Sequence, residues 1–238
     1  GVLVGEPVEE YQKPSCKTLQ TFSEPPSTDN FFDHKLGLQW QWPANPQANF
    51  YSFEKDTKGL CLYPINTTGT DYPVLWECAN LLTQKIMCSS FTAETLINIS
   101  QLPQNCKTGM IIIGGQYATL GIERKKDSLV LYFTESKTSP LNSETRIENT
   151  IAHINCKNTD YIKIRMKFND DGTCNFKAKI DPLTWITPAP AFYSIGGYWV
   201  GAKIGIYAIS NDALDFSPNS DLSNIRGKCS FDPCFPLL

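Results

Sequence analysis

From Asp29 onward, apolar and polar residues alternate along this chain. In "FTAETLINIS" the positions Phe91, Ala93, Thr95, Ile97 and Ile99 fall on one face. "DSLVLYFTES" does the same with Leu129, Leu131 and Phe133, and "VGAKIGIYAIS" with Val200, Ala202, Ile204, Ile206 and Ala208. A period of two puts alternate side chains on opposite faces and predicts strands with one covered face. "GMIIIGGQYATLGIER" predicts two strands broken by Gly114-Gly115. "YIKIRMKFNDDGTCNFKAKID" predicts a hairpin. Ile162, Ile164, Met166 and Phe168 alternate with Lys163, Arg165 and Lys167, "DDG" at Asp170–Gly172 supplies the turn, and Phe176, Ala178 and Ile180 return on the core face. In "LGLQWQWPANP", Trp40 and Trp42 alternate with Gln39 and Gln41 before Pro43 and Pro46, which predicts a strand carrying two indoles on one face.

No ten-residue stretch follows a helical period, and no fixed-length repeat suggests a propeller inside the chain. Short strands separated by Gly, Asn, Asp and Pro predict an all-β fold, an antiparallel two-sheet sandwich. Residues 1–27 break the pattern: Pro7, Pro14, Pro25 and Pro26 among Glu and polar residues predict an extended strap or linker, with the sandwich over residues 28–238. The opening residues have neither a basic start nor a long apolar run, so they do not read as a signal peptide. Either the mature chain starts here or the strap leads from something upstream.

With 238 residues and 41% hydrophobic content, the chain can build a large core without staples. Its 21 basic and 24 acidic residues give a net charge of −3, which offers no electrostatic footprint for nucleic acid. No apolar run of about 18 residues is present to span a membrane. The nine cysteines are Cys16, Cys61, Cys78, Cys88, Cys106, Cys156, Cys174, Cys229 and Cys234. They contain no CxxC spacing and share the chain with two histidines, a poor set for zinc. Most read as small buried hydrophobes, and Cys229 and Cys234 are near enough in sequence to bridge.

Nucleophilic catalysis finds no support. His34 and His153 lie near neither a serine elbow nor a cysteine motif, and "IGGQYATLG" sits between strands instead of before a helix. A pair of catalytic carboxylates cannot be picked out by spacing, and Glu123 in "GIERKK" reads as a surface ion-pair partner. Aromatic groups are the remaining signal. They are Trp40 and Trp42, Trp76, Trp185, and the group Phe192, Tyr193, Tyr198 and Trp199. An exposed ring can stack on a sugar face. Trp40 and Trp42 read as core. Tyr198 and Trp199, beside the Pro- and Gly-rich "APAFYSIGG", are the candidates for contact with a ligand or partner, followed by Phe192 and Tyr193.

Four segments in order, "GEPVEEYQKP", "STDNFFDHKLGLQWQWPANP", "YATLGIERKKDSLVLYF" and "GGYWVGAKIGIYA", resemble the C-terminal module of glycoside hydrolase family 43 enzymes, the β-xylosidases and α-L-arabinofuranosidases. The motif runs through Asp29, Phe31, Leu36, Gly37, Gln39, Trp40, Gln41, Trp42, Asn45 and Pro46. The resemblance implies a concanavalin A-like jelly-roll sandwich. It makes the tryptophans the mark of its first main strand and places the catalytic acids on a five-bladed N-terminal propeller outside this chain. A sandwich loop would then approach the propeller's mouth, with Tyr198 or Trp199 at its tip. The ending "GKCSFDPCFPLL" departs from the family pattern. Phe231, Asp232 and Phe235 stand as its remnant, and "NDALDFSPNSDLSN" reads as an inserted loop.

Three functions follow as expectations. The first is a non-catalytic accessory module of a secreted or periplasmic enzyme of carbohydrate metabolism acting on xylan or arabinoxylan. The second is an independent carbohydrate-binding module holding an oligosaccharide. The third is a sandwich that hydrolyses glycans itself. The resemblance calls for no cofactor and leaves room for a structural calcium, although no Asp cluster spells a binding loop.

Overall fold

The computed structural model describes residues 28–53, 59–66, 75–126, 128–137, 147–157, 159–211 and 229–232, with residues 10–12, 15 and 26 singly. The strap over residues 1–27, the Cys229–Cys234 bridge, Phe235 and most of the inserted loop lie outside the described residues.

Fourteen strands are described: β1 (Tyr51–Phe53), β2 (Leu60–Leu62), β3 (Ile65–Asn66), β4 (Leu81–Lys85), β5 (Phe91–Asn98), β6 (Cys106–Ile113), β7 (Tyr117–Lys125), β8 (Ser128–Ser136), β9 (Asn149–Cys156), β10 (Tyr161–Phe168), β11 (Thr173–Lys179), β12 (Phe192–Tyr193), β13 (Lys203–Ser210) and β14 (Cys229–Asp232). A single 3-10 turn covers Leu75–Glu77. The first sheet runs β3-β13-β6-β7-β8-β9, with β4 also on β13, and the second runs β1-β2-β14-β5-β10-β11-β12. Pairing is antiparallel except for the two-residue β13–β3 contact. The fold is thus the all-β sandwich that the alternation predicts.

The two inner faces share one core. Leu120, Ile122, Leu129, Leu131 and Phe133 of the first sheet meet Ile97, Ile162, Ile164, Met166 and Phe176 of the second. The predicted hairpin forms in register, Met166 opposite Phe176 and Ile164 opposite Ala178. Gly172 closes its turn at φ +82°, a conformation that side chains rarely adopt.

The first sheet is covered on its other face as well. Tyr117, Tyr132, Tyr207, Ile111 and Ile209 pack there beneath Leu75, Trp76, Cys78 and Leu81. Burial on both faces explains why β7 and β8 read as near-continuous apolar runs.

The tryptophan segment corrects an expectation. Instead of a main strand, it makes one β-bridge, Gln41 to Thr83. Gln41 and Thr83 exchange both backbone bonds, at 2.8 and 2.9 Å. The pairing stops there because Pro43 and Pro46 have no N–H to donate. The expected C-terminal remnant is a strand in part: Phe231 and Asp232 belong to β14, between β2 and β5.

Candidate functional site

The tryptophan motif is structural, and its spacing has a cause. Asp29 accepts bonds from the Phe31 N–H (2.8 Å) and the Trp40 indole N–H (2.8 Å), and from the Gln39 amide (3.3 Å). Phe31 then stacks on Trp40, which is 8% exposed. Trp42 is half-buried against Phe50 and Tyr51, with ring centroids 5.8 and 5.4 Å away. Neither indole offers an open face of the kind a sugar platform needs.

The aromatic loop behaves differently. β12 pairs with the start of β11, so Phe192 faces Cys174 and points inward, 2% exposed. Phe192 is therefore a core residue, a correction to its place among the contact candidates: in a strand only one of two neighbouring rings can face out. Tyr193 takes the outward position at 60% exposure. The chain then crosses the end of the sandwich. Ser194 N–H donates to the carbonyl of Gly172 in the β10–β11 turn, at 2.9 Å, and Ile195 accepts from Gly115 N–H in the β6–β7 turn, at 2.8 Å. One loop thereby ties a turn of each sheet together.

The tie depends on close approach of two backbones. A Cβ on Gly114 would lie 2.2 Å from the Ile195 oxygen, and one on Gly115 would lie 2.8 Å from that of Gly196. Beneath the turn, Trp76 donates to the Gly114 carbonyl at 3.3 Å and meets Tyr117 edge-on at 4.7 Å. Beyond the tie, Tyr198 and Trp199 stand 77% and 94% exposed, their rings 6.5 Å apart. Ile195 and Val200 are exposed beside them in sequence. This is a run of large apolar side chains held out by an anchored loop, of the sort that marks a contact surface.

Several carboxylates among the described residues serve structural partners. Glu94 lies buried on β5 and is gripped by Lys163 at 2.5 Å and by Arg165. Burial alone would raise its pKa, but these bonds and charges outweigh burial and hold it below the usual glutamate value. Glu148 accepts from the Tyr117 hydroxyl at 2.5 Å, and burial, the largest influence, raises its pKa. Glu123 pairs with Lys125 at 3.7 Å, the surface partnership that the sequence predicts. His34 is exposed in a turn. No group of three or more His, Cys, Asp or Glu among the described residues could hold a metal ion. No helix among them is long and apolar enough to cross a membrane. At the opposite end of the sandwich, Ser100, Arg124, Thr159 and Asp160 line a depression of about 290 Å³.

Sequence reasoning named Trp185 among the aromatic groups without placing it. Its indole lies over the Arg165 guanidinium, 4.5 Å to the centroid, with the Lys179 ammonium at 5.9 Å. No local signal in "DPLTWITPAP" announces that neighbourhood, which arises from long-range sheet pairing.

Comparison with known proteins agrees with this architecture. The chain is 25% identical over 223 residues to a β-xylosidase of Formosa agariphila, covering 86% of this chain and 35% of that protein. It thus spans about a third of the length of that curated relative. Among solved structures, it superposes with a TM-score of 0.74 on a GH43 glycoside hydrolase engineered for both endo-xylanase and exo-arabinofuranosidase activity, at 16% identity, over 93% of this chain and 42% of the other. A GH43 protein from Bacillus licheniformis gives 0.68 at 14% identity, over 93% and 41% of the two chains. The family model for the β-xylosidase C-terminal concanavalin A-like domain matches residues 28–217, a span that includes both the tryptophan motif and the aromatic loop. The chain belongs to the family of β-xylosidase C-terminal concanavalin A-like domains.

Proposed function

We propose that this chain is the non-catalytic accessory module of a glycoside hydrolase of family 43 acting on xylan- or arabinoxylan-type polysaccharides. In this reading it follows a propeller domain that carries the catalytic acids. It packs against that domain and presents the loop from Tyr193 to Val200 at the substrate entrance. The observation that carries the reading is the anchored loop, which holds Tyr198 and Trp199 out with nothing among the described residues to cover them. The structural employment of Glu94 and Glu148, and the β-xylosidase relative, support it further. Polymeric substrates of this kind lie outside the cell, so the reading carries a secreted or periplasmic location.

The test is Trp199→Ala in the enzyme that carries this module. Loss of one stacked or interface ring is expected to lower kcat/KM on xylo-oligosaccharides by roughly tenfold. The 238-residue chain alone is expected to bind neutral arabinoxylan no better than a control protein in affinity electrophoresis. Retention on neutral arabinoxylan that disappears in Trp199→Ala would instead establish an independent carbohydrate-binding module. Hydrolysis of a nitrophenyl glycoside by the chain alone would place the chemistry within it.

A further inference from the structure

The second sheet turns one face away from the core, built from alternate residues of β5, β10 and β11. Register sets Lys163 beside Lys179 and Leu96, Arg165 beside Lys177 and Glu94, and Lys167 beside Asn175 and Thr92. Five cations therefore share two adjoining strands, in a chain whose net charge is −3. Like charges directly opposite on neighbouring strands repel, and here two such pairs stand in succession, Lys163 with Lys179 and Arg165 with Lys177. Glu94 occupies Lys163 and Arg165. Among the described residues, no carboxylate comes within ion-pair distance of Lys167, Lys177 or Lys179. Asp181 feels Lys179 only as a weak, longer-range influence.

A ring is fixed over the same face. Ile186 and Ala178 exchange both backbone bonds, at 2.9 and 2.8 Å, and Ile186 packs against the core. Its neighbour Trp185 is thereby set on the opposite face, above Arg165 and Lys179. Asp181 accepts from the N–H groups of Leu183 and Thr184, and Pro182 and Pro188 stiffen the segment that carries the indole. Sugar binding calls for a rigid aromatic plane with polar groups beside it. Carboxylate binding calls for cations not already neutralised. This face combines the two along about 13 Å of strand, an extent suited to an oligosaccharide more than to a single ion.

We infer that the outer face of the second sheet binds an anionic glycan, a sugar chain bearing uronic-acid carboxylates, with Trp185 against a sugar ring and Lys167, Lys177 and Lys179 meeting the carboxylates. The choice of a glycan over other polyanions rests on the accessory-module reading above.

The test uses the full 238-residue chain in affinity electrophoresis and calorimetry at low salt. Three probes are used: glucuronic-acid-substituted xylan, the same xylan with its carboxylates reduced to alcohols, and a single-stranded polynucleotide. Binding to the acidic xylan is expected to weaken roughly tenfold on carboxyl reduction, roughly tenfold in the Lys167→Gln/Lys177→Gln variant, and roughly tenfold in Trp185→Ala. The two lysines lie on strand faces outside the core, so that double variant keeps the test valid if Trp185→Ala does not fold. Equal affinity for the carboxyl-reduced polymer, or no affinity for the acidic one, overturns the inference. Polynucleotide binding that exceeds acidic xylan binding and weakens in the same variants overturns it too, by making the face a nucleic-acid site. The Trp199→Ala enzyme concerns a different part of the surface, so the two readings fail separately.

Discussion

Gly114→Ala puts the anchoring of the aromatic loop to a direct test. The added methyl would stand 2.2 Å from the Ile195 carbonyl oxygen, whereas carbon and oxygen ordinarily approach to about 3.3 Å. The atom in the way is backbone, so no side chain can swing aside and the loop must retreat by about 1 Å. That same oxygen accepts the 2.8 Å bond from Gly115 N–H. Retreat on this scale takes the bond past hydrogen-bonding distance. The lost bond costs roughly 0.5–1.5 kcal/mol and the residual overpacking roughly 1–3 kcal/mol. We expect about 2–3 kcal/mol less stability for the docked loop, which should speed hydrogen exchange at the Gly115 amide roughly 30- to 160-fold. Exchange read by mass spectrometry on a peptide covering residues 113–117 measures this. Gly201→Ala is the control, since a methyl there meets nothing within 4 Å. Wild-type exchange in Gly114→Ala would refute the argument, because the loop would then be held by something other than this contact.

Three further outcomes are expected. Tyr207→Phe removes the hydroxyl that the buried Tyr132 and Thr119 hydroxyls share, and it should destabilise the fold by about 1–3 kcal/mol in urea titration; an unchanged midpoint would contradict that network. Glu94 has a lowered folded-state pKa, so its contribution to stability is present above the ordinary value of 4.5 and is lost as pH falls through the folded-state value. The stability gap between wild type and Glu94→Gln should therefore close as urea titrations move from neutral pH to below that range, and a constant gap would argue against it. Among the described thiols, exposed Cys88 should react first with a maleimide, by peptide mapping. Cys78 and Cys174, each pushed up to about 12 by burial, should react only on unfolding.

What the sequence revealed, and what it withheld, follows from which interactions are local. β5, β10 and β11 were legible because their alternation is strict and the "DDG" turn fixes their register. The covered outer face of the first sheet was present in the sequence as apolar residues on both parities of β7 and β8. Its lid of Leu75, Trp76 and Cys78 comes from a separate segment and gives no signal in those strands. The tryptophan motif was legible as core but not as a single bridge. Its organiser, Asp29, acts across eleven positions through an indole N–H, outside any strand period. The exposure of Tyr198 and Trp199 was legible from their Pro- and Gly-rich setting. Phe192 was not separated from Tyr193, because its inward turn depends on pairing with Cys174. The basic face was visible as alternating lysines, but the ring above it was not.

β14 lies between β2 and β5, although it is drawn from residues 229–232 while its neighbours come from residues 60–62 and 91–98. Without that late segment, the facing edges of β2 and β5 would lack the strand that joins them. Closure of this sheet is thus set by the arrival of residues 229–232, and a chain lacking them would leave an open seam that invites strand addition from another molecule.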